Sequence, residues 1–253
     1  MQLTFGSVEL FAQMVQDAYG NPVTTPTPIR IAGLQELSID FAGELKEFFG
    51  QNRYALATAM GKVKVNGKMK GALINGQALN TMFFGDQFAT GTMKAIHADT
   101  TGQSISASIT ITPPNGGTFT EDLGIVGSDG TTFIKVAGAP EAGQYAVTSG
   151  GVYSFNTADN GKHAYISYSY SYTLASAKKI TLNNMAMGNT PSIKLQYLSA
   201  YKGKRALLEL ESITSTKLGL FSTKNDDFSV PEIDFHAATD AAGYRLGTLW
   251  VQE

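Results

Sequence analysis

Cysteine is absent from the 253-residue sequence, and histidine is nearly so. Without cysteine the chain can form no disulfide, no thiolate metal site and no cysteine nucleophile. Such a composition also fits a reducing cytoplasm. The three histidines, His97, His163 and His236, are far apart, and none lies in a metal-ligand spacing such as H-E-x-x-H. We therefore expect no metal site and no cofactor.

Charge is scarce too. Only 16% of the residues are charged and the net charge is −2, whereas roughly a quarter of the residues are charged in ordinary globular domains. Because the centres of protein interfaces are depleted in charge, this scarcity indicates a surface that partners cover. A chain without a basic excess gains little by releasing counterions from duplex DNA, so a passing polyanion would be tolerated rather than bound.

Long apolar runs are also missing. The first residues, Met1-Gln2-Leu3, carry no basic segment, and Asp17 falls where a signal peptide would be apolar. No run approaches the roughly 20 residues of a membrane-spanning helix. We expect a soluble, unprocessed protein with no membrane partner.

The usual catalytic motifs do not occur. There is no G-x-S-x-G elbow, no phosphate-binding loop and no G-x-G-x-x-G turn. The best acidic candidates are Asp226-Asp227 and the pair of Asp234 with His236, since carboxylate pairs act as acid and base in hydrolases. Nothing in the sequence indicates a cleft around them. We interpret both as solvated or turn-stabilising groups, and predict that the protein is not an enzyme and has no catalytic residues.

What the sequence does contain is a β pattern. Apolar and polar residues alternate in many short segments that are separated by glycine-rich turns, which is typical of an all-β sandwich or barrel. Leu37, Ile39 and Phe41 belong to one such segment, and a second strand is predicted from Tyr54 to about Val65. We therefore predict a mainly β fold.

Two connecting segments are candidates for contacts with another chain. Residues 42–53 are predicted to form a loop that carries the large apolar residues Leu45, Phe48 and Phe49. Apolar residues on a loop tip are costly in water, so we favour an intersubunit contact over the alternative that they plug their own core. Residues 19–28 contain three prolines, which predict an extended arm or loop because proline cannot donate to a sheet. They are Pro22, Pro26 and Pro28.

Charged side chains line two other predicted strands. A three-residue turn at Asn66-Gly67 would place four lysines on one sheet face: Lys62, Lys64, Lys68 and Lys70. We favour a solvated face there over an anion site or a pairing with acidic neighbours. In the later strand 205–213, alternation places Glu209 and Glu211 on one face with Leu207 and Ile213.

One helix and one aromatic row complete the pattern. A short helix at about 76–84 is predicted by Asn75 as its N-cap, by Gly85 as its end and by an apolar stripe. The stripe consists of Ala78, Leu79, Met82 and Phe83. Tyrosines at every second position of the strand 164–174 are interpreted as a sheet face in a core, and a sugar-binding platform is the alternative.

The order of these elements resembles the tail tube (major tail) proteins of long-tailed bacteriophages. The resemblance begins in the segments FFGQNRYALATAMGKVKVNGK and NGQALNTMFFG, a long hairpin followed directly by the short helix. It continues through GQYAVTSGGVYSFNTADNGKHAYISYSY and through YKGKRALLELESITSTKLGLFSTKNDDFSVPEIDFHAATDAAGYRLGTLW near the end. It spans nearly the whole chain as a pattern rather than as a strict motif.

This resemblance implies a fold and a function. The fold would be a single tail-tube domain over 1–253, a β-sandwich bent into part of a barrel with one flanking helix, as in the tube protein of type VI secretion. Residues of about 113–174 exceed a minimal tube domain and would be an insertion or an extension. Copies would form stacked hexameric rings around a channel, with 42–53 and 19–28 bridging the rings.

The implied setting is the virion tail, assembled in the host cytoplasm. Partners would be further copies of the chain, together with tape measure, terminator and tail-tip proteins, while DNA passes without specific binding. Since acidic or neutral walls let phosphate slide, Glu209 and Glu211 are expected nearer the lumen than the lysine face. The alternatives are a receptor-binding or head-decoration β-sandwich of the virion and, with no positive sign, a glycan hydrolase.

Overall fold

A computed structural model describes residues 8–71, 76–86, 88–184, 187–220 and 230–252. The chain divides into two compact units: residues 88–179 form the inserted unit, and the parts before and after it form the flanking unit. The segment 113–174 lies wholly inside the inserted unit. The mainly β fold predicted from the alternation is confirmed.

The described chain contains sixteen strands, numbered in chain order. They are β1 (Val8–Gln16), β2 (Ile29–Ile31), β3 (Leu34–Phe49), β4 (Ala55–Gly71), β5 (Ala89–His97), β6 (Gln103–Ser104), β7 (Ser108–Thr110), β8 (Thr118–Gly127), β9 (Ile134–Lys135), β10 (Gln144–Val147), β11 (Val152–Phe155), β12 (His163–Lys179), β13 (Ser192–Tyr201), β14 (Lys204–Gly219), β15 (Glu232–Ala238) and β16 (Gly247–Val251).

The flanking unit is built on one eight-stranded antiparallel sheet. Its order is β2-β1-β13-β14-β15-β4-β3, and β16 pairs with β14 beside β15. The sheet curls, because β1 near one edge contacts β3 at the other. The concave face carries a core in which Leu10, Met69, Leu195 and Phe235 are buried. The described part of the flanking unit therefore forms an incomplete barrel.

The predicted helix is confirmed. It begins as α1 (Gly76–Leu79) and continues as a π-helical turn over Asn80–Phe84. Gly85 ends it in the left-handed conformation, with φ of 62°. Leu79 and Met82 enter the core of the flanking unit, and Phe84 rather than Phe83 packs against that core. The proposed N-cap, Asn75, lies outside the described residues.

The predicted turn at Asn66-Gly67 is wrong. β4 runs straight through it, and the hairpin turn lies instead at residues 50–54. Gly67 is needed for packing: a Cβ there would lie 2.0 Å from the ring of Phe235, which is buried on the neighbouring strand β15. The predicted loop 42–53 is wrong for residues 42–49, which continue β3 and pair with β4, whereas residues 50–53 do lie in the turn.

The inserted unit has two four-stranded sheets that share one core. One sheet has the order β7-β11-β10-β9, and in the other β12 pairs with β5, β6 and β8. The tyrosine row on β12 lies in that core: Tyr168 and Tyr170 are buried, and Tyr172 packs against them. The interpretation of this row as a core face is therefore confirmed, and its rings are not available as an open platform.

Alternation fails along β14. Leu210 and Ile213 are both buried in the core, because the pairing with β13 shifts register between Ile193 and Leu195. Ile213 therefore shares the inner face with Leu210, and its predicted grouping with Glu209 and Glu211 is wrong.

Candidate assembly surface

The outer part of the β3–β4 hairpin, residues 41–63, is here called the arm. In the sheet, β15 pairs with β4 only from Val65 to Lys70, so the arm is a two-stranded ribbon that extends beyond the other strands. A ribbon of two strands has little stability of its own in water. Its length therefore exceeds what the core of the flanking unit requires.

Large apolar side chains are exposed all along the arm. They are Phe41, Leu45, Phe48, Phe49, Tyr54, Leu56, Met60 and Val63. The four aromatic residues are between 53% and 79% exposed; at about 200 Å² per aromatic side chain they alone present roughly 500 Å² of apolar surface. That equals the largest patch of a typical monomer, about 300–600 Å², before the four aliphatic side chains are added.

Four of these residues form a strip on one face of the arm. Met60 pairs with Leu45, and its sulfur lies 2.6 Å from where a Cβ of Gly43 would be, so Gly43 leaves room for it. Phe41 and Val63 lie on the same face by their pairing. Toward the sheet the strip continues into the inner-face residues of β3.

The predicted contact residues Leu45, Phe48 and Phe49 are exposed on the arm rather than folded back onto their own core. Their role in a contact between chains stays a prediction. Five further residues of this surface were not predicted from the sequence: Phe41, Tyr54, Leu56, Met60 and Val63. Alternation with Leu37 and Ile39 indicated a buried face for Phe41, but Phe41 is 59% exposed where the arm leaves the sheet.

The proline segment 19–28 is irregular, as predicted, apart from a bridge between Gln16 and Pro22. Its start is fixed by Asp17, whose carboxylate accepts hydrogen bonds from the backbone of Tyr19 and from Asn21. These bonds outweigh the effect of burial and lower the pKa of Asp17. Of the three prolines, Pro22 and Pro28 are exposed and Pro26 is half-buried, and their contact role stays a prediction.

Lys64, Lys68 and Lys70 share one face because they alternate along the single strand β4. Lys62 lies where the pairing of β4 with β3 shifts register, between Met60 and Val63. Two of the four lysines, Lys68 and Lys70, form ion pairs with Glu232 at 2.9 Å and with Glu36 at 2.6 Å. Their acidic neighbours thus come from the adjacent strands β15 and β3. The other two, Lys62 on the arm and Lys64 at its base, are exposed and form no ion pair with any described residue.

Glu209 and Glu211 are only 15% and 11% exposed in their side chains. Lys194 bridges them at 2.9 and 3.2 Å, and Arg245 pairs with Glu211. Hydrogen bonds from Gln196 and Lys194 lower the pKa of Glu209. The two negative charges are thus matched by two positive ones. Their position at a lumen stays a prediction, and there they would present a nearly neutral wall.

An apolar groove of about 500 Å³ opens on the inner face of the flanking unit. One wall is β3, with Leu37, Ile39 and Phe41, and the opposite wall includes Tyr197, Leu208 and Leu249. None of the described residues that line it is charged. Since Phe41 also belongs to the strip, the groove and the arm form one continuous apolar surface.

The inserted unit contains a buried carboxylate that the sequence analysis missed. Asp122 is 3% exposed in its side chain and accepts hydrogen bonds from the hydroxyls of Tyr145, at 2.7 Å, and Tyr153, at 2.9 Å. Lys135 lies 3.1 Å away. Burial acts to raise the pKa of Asp122, but these contacts lower it. Burial beside the carboxylate also raises the pKa of both tyrosines. This network joins the two sheets.

The structure does not bring the remaining acidic residues and histidines from the sequence analysis together in one site. Asp226-Asp227 lie outside the described residues. His236 interacts with Asn66 at 3.0 Å between Nδ1 and Oδ1, and His97 packs on the ring of Tyr168. Among the described residues no group of three or more histidine, aspartate or glutamate side chains is placed to hold a metal ion.

No family model matches the sequence, and no curated protein matches it either. Across the described ranges, no helix is both long enough and apolar enough to cross a membrane. The arm and the groove thus carry the functional argument by their own geometry.

Proposed function

We propose that this protein is a structural subunit of a bacteriophage tail tube, whose copies assemble into stacked rings around a channel. The observation that carries the proposal is the arm: a two-stranded ribbon with eight large apolar residues in water. With the aliphatic residues added, its exposed area approaches the roughly 800 Å² that each partner contributes to a stable interface.

The open edge of the sheet supports the same proposal. β3 is a 16-residue strand that pairs only with β4 among the described strands, so its other edge presents free backbone groups. Long apolar edges recruit further strands unless they are protected. Copies that extend each other's sheets sideways would pair these edges, and closure into a ring would leave none open.

The charge of the protein is compatible with a channel through which DNA passes without being bound. The chain has a net charge of −2, and Lys68 and Lys70 are paired with acidic neighbours. Rings of such subunits would carry no excess of positive charge with which to hold DNA. Tail partners such as the tape measure protein, and a place in the virion, belong to this proposal.

The test is assembly against concentration, followed by sedimentation velocity and negative-stain microscopy. We expect rings or tubes from the unaltered protein. The triple variant Phe48→Thr, Phe49→Thr and Leu56→Thr should stay monomeric, because threonine keeps the strand but removes the apolar surface.

The matched control replaces two equally exposed residues of the inserted unit, Ile96→Thr and Ile134→Thr. This double variant should assemble like the unaltered protein. If the unaltered protein stays a monomer at high concentration, or if the two sets of substitutions have equal effects, the proposal is wrong.

A further inference from the structure

Water in the groove of the flanking unit would form few hydrogen bonds with the walls. At about 30 Å³ per molecule, its roughly 500 Å³ corresponds to about 17 waters. These waters would face leucine, isoleucine and phenylalanine side chains and find few hydrogen-bond partners. Burying such surface is favourable, so an apolar occupant would be stabilised there.

The same chain carries side chains that suit this groove. At the end of the arm, Phe48 is 67% exposed and Leu56 is 64% exposed. The tip cannot reach the groove of its own chain while β3 stays an extended strand, because the groove wall and the tip lie at opposite ends of that strand. The groove of another copy has no such restriction.

We propose that the arm tip of a second copy of this chain occupies the groove between β3 and β14–β16. The inference rests on the proposed function, because it names the surface that receives the arm. The strip of the receiving copy begins at the mouth of its groove, where Phe41 belongs to both. An incoming arm would therefore contact one uninterrupted apolar surface.

Donor and acceptor are different surfaces, so the contact is heterologous. Each copy gives one tip and receives one, and the contact repeats until it closes or continues as a filament. Every copy inside such an assembly has both its tip and its groove covered. A pairwise symmetric dimer through the two arms would leave both grooves open to water.

The absence of cysteine allows a direct test by cross-linking. One protein carries Gln51→Cys at the exposed tip, and a second carries Ala206→Cys in the groove wall. The two are mixed in equal amounts and treated with a short bismaleimide. We expect a covalent heterodimer, and none when the second protein instead carries Ser128→Cys, an exposed position of the inserted unit.

A second variant fills the groove without exposing a polar group to it. Ala206→Phe should raise the concentration at which assembly begins by about tenfold, which corresponds to ~1.4 kcal/mol. Its thermal unfolding should stay close to that of the unaltered protein, which separates a blocked groove from a misfolded chain.

The outcomes separate this inference from the proposed function. Rings or tubes without the tip-to-groove cross-link would overturn the groove assignment alone. Native mass spectrometry that finds a small apolar molecule in the groove of assembled particles would also overturn it. If the protein never assembles, both the groove assignment and the proposed function are wrong.

Discussion

The two units of this chain treat their apolar residues in opposite ways. The inserted unit closes its own core: two sheets bury Tyr153, Phe155 and Ile166 between them, and Asp122 bonds across the sheets. The flanking unit leaves an arm and a groove open, although both are lined by equally large side chains. The inserted unit thus closes its core with its own two sheets, whereas the flanking unit leaves the apolar surface of the arm and the groove exposed.

The largest expected effect is in the inserted unit, where Asp122 is removed. Asp122→Ala leaves two buried tyrosine hydroxyls without their acceptor, which should destabilise this unit by about 3 kcal/mol. Calorimetry, together with hydrogen exchange resolved along the chain, should locate the loss in residues 88–179.

The neighbouring substitution Glu121→Ala is the matched control. Glu121 forms an ion pair with Lys94 at 3.2 Å, and both side chains are about 60% exposed, so the change should stay within about 0.5 kcal/mol. Equal effects of the two substitutions would show that the buried network contributes nothing beyond a surface ion pair.

A smaller effect is expected where the flanking unit does close its core. In Gly67→Ala the new methyl group would meet the ring of Phe235, which cannot move freely because it is buried. Such overpacking should cost about 2 kcal/mol. Gly71→Ala, on the same strand, should be nearly neutral, because no atom of the described residues lies within 4 Å of the position its Cβ would take. Chemical denaturation of both variants measures the difference, and a neutral Gly67→Ala would contradict the packing role of this glycine.

Gly67 also shows why part of the fold could not be predicted from the sequence. Asn-Gly is a strong local signal for a hairpin turn. This glycine instead makes room for the ring of Phe235, which lies far along the chain in β15. The same applies to Asp122, whose two tyrosine partners come from the opposite sheet. Alternation was sufficient for the mainly β character and for the buried tyrosine row, because these depend only on neighbours along one strand.

The arm was recognised in part. Its exposed phenylalanines and the strand from Tyr54 to about Val65 were predicted from the sequence, but the continuation of β3 through residues 42–49 was not. The groove could not be predicted from the sequence, because β3 is distant along the chain from the other three strands that form its walls: β13, β14 and β16. Only the register of these strands brings Leu37 and Leu249 to opposite sides of one opening.

The smallest expected effect is on the stability of the flanking unit at acidic pH. Ion pairs with Lys68 and Lys217 on the flanking unit lower the pKa of Glu232 to about 2, below its ordinary value of about 4.3. A lowered pKa means that the ionised form is favoured by folding. The stabilisation is therefore complete above about pH 4.5 and is lost as the pH falls toward 2. Because the lysines are exposed, salt should weaken it further.

Glu232→Gln should flatten this acid dependence in the flanking unit and leave that of the inserted unit unchanged. The control Glu141→Gln, in the inserted unit, alters a carboxylate that forms no ion pair with a described residue, so it should alter neither profile. Thermal unfolding between pH 5 and 2, read separately for each unit by hydrogen exchange, measures both. If Glu232→Gln leaves the flanking unit as sensitive to acid as before, the ion pairs of Glu232 with Lys68 and Lys217 do not stabilise it.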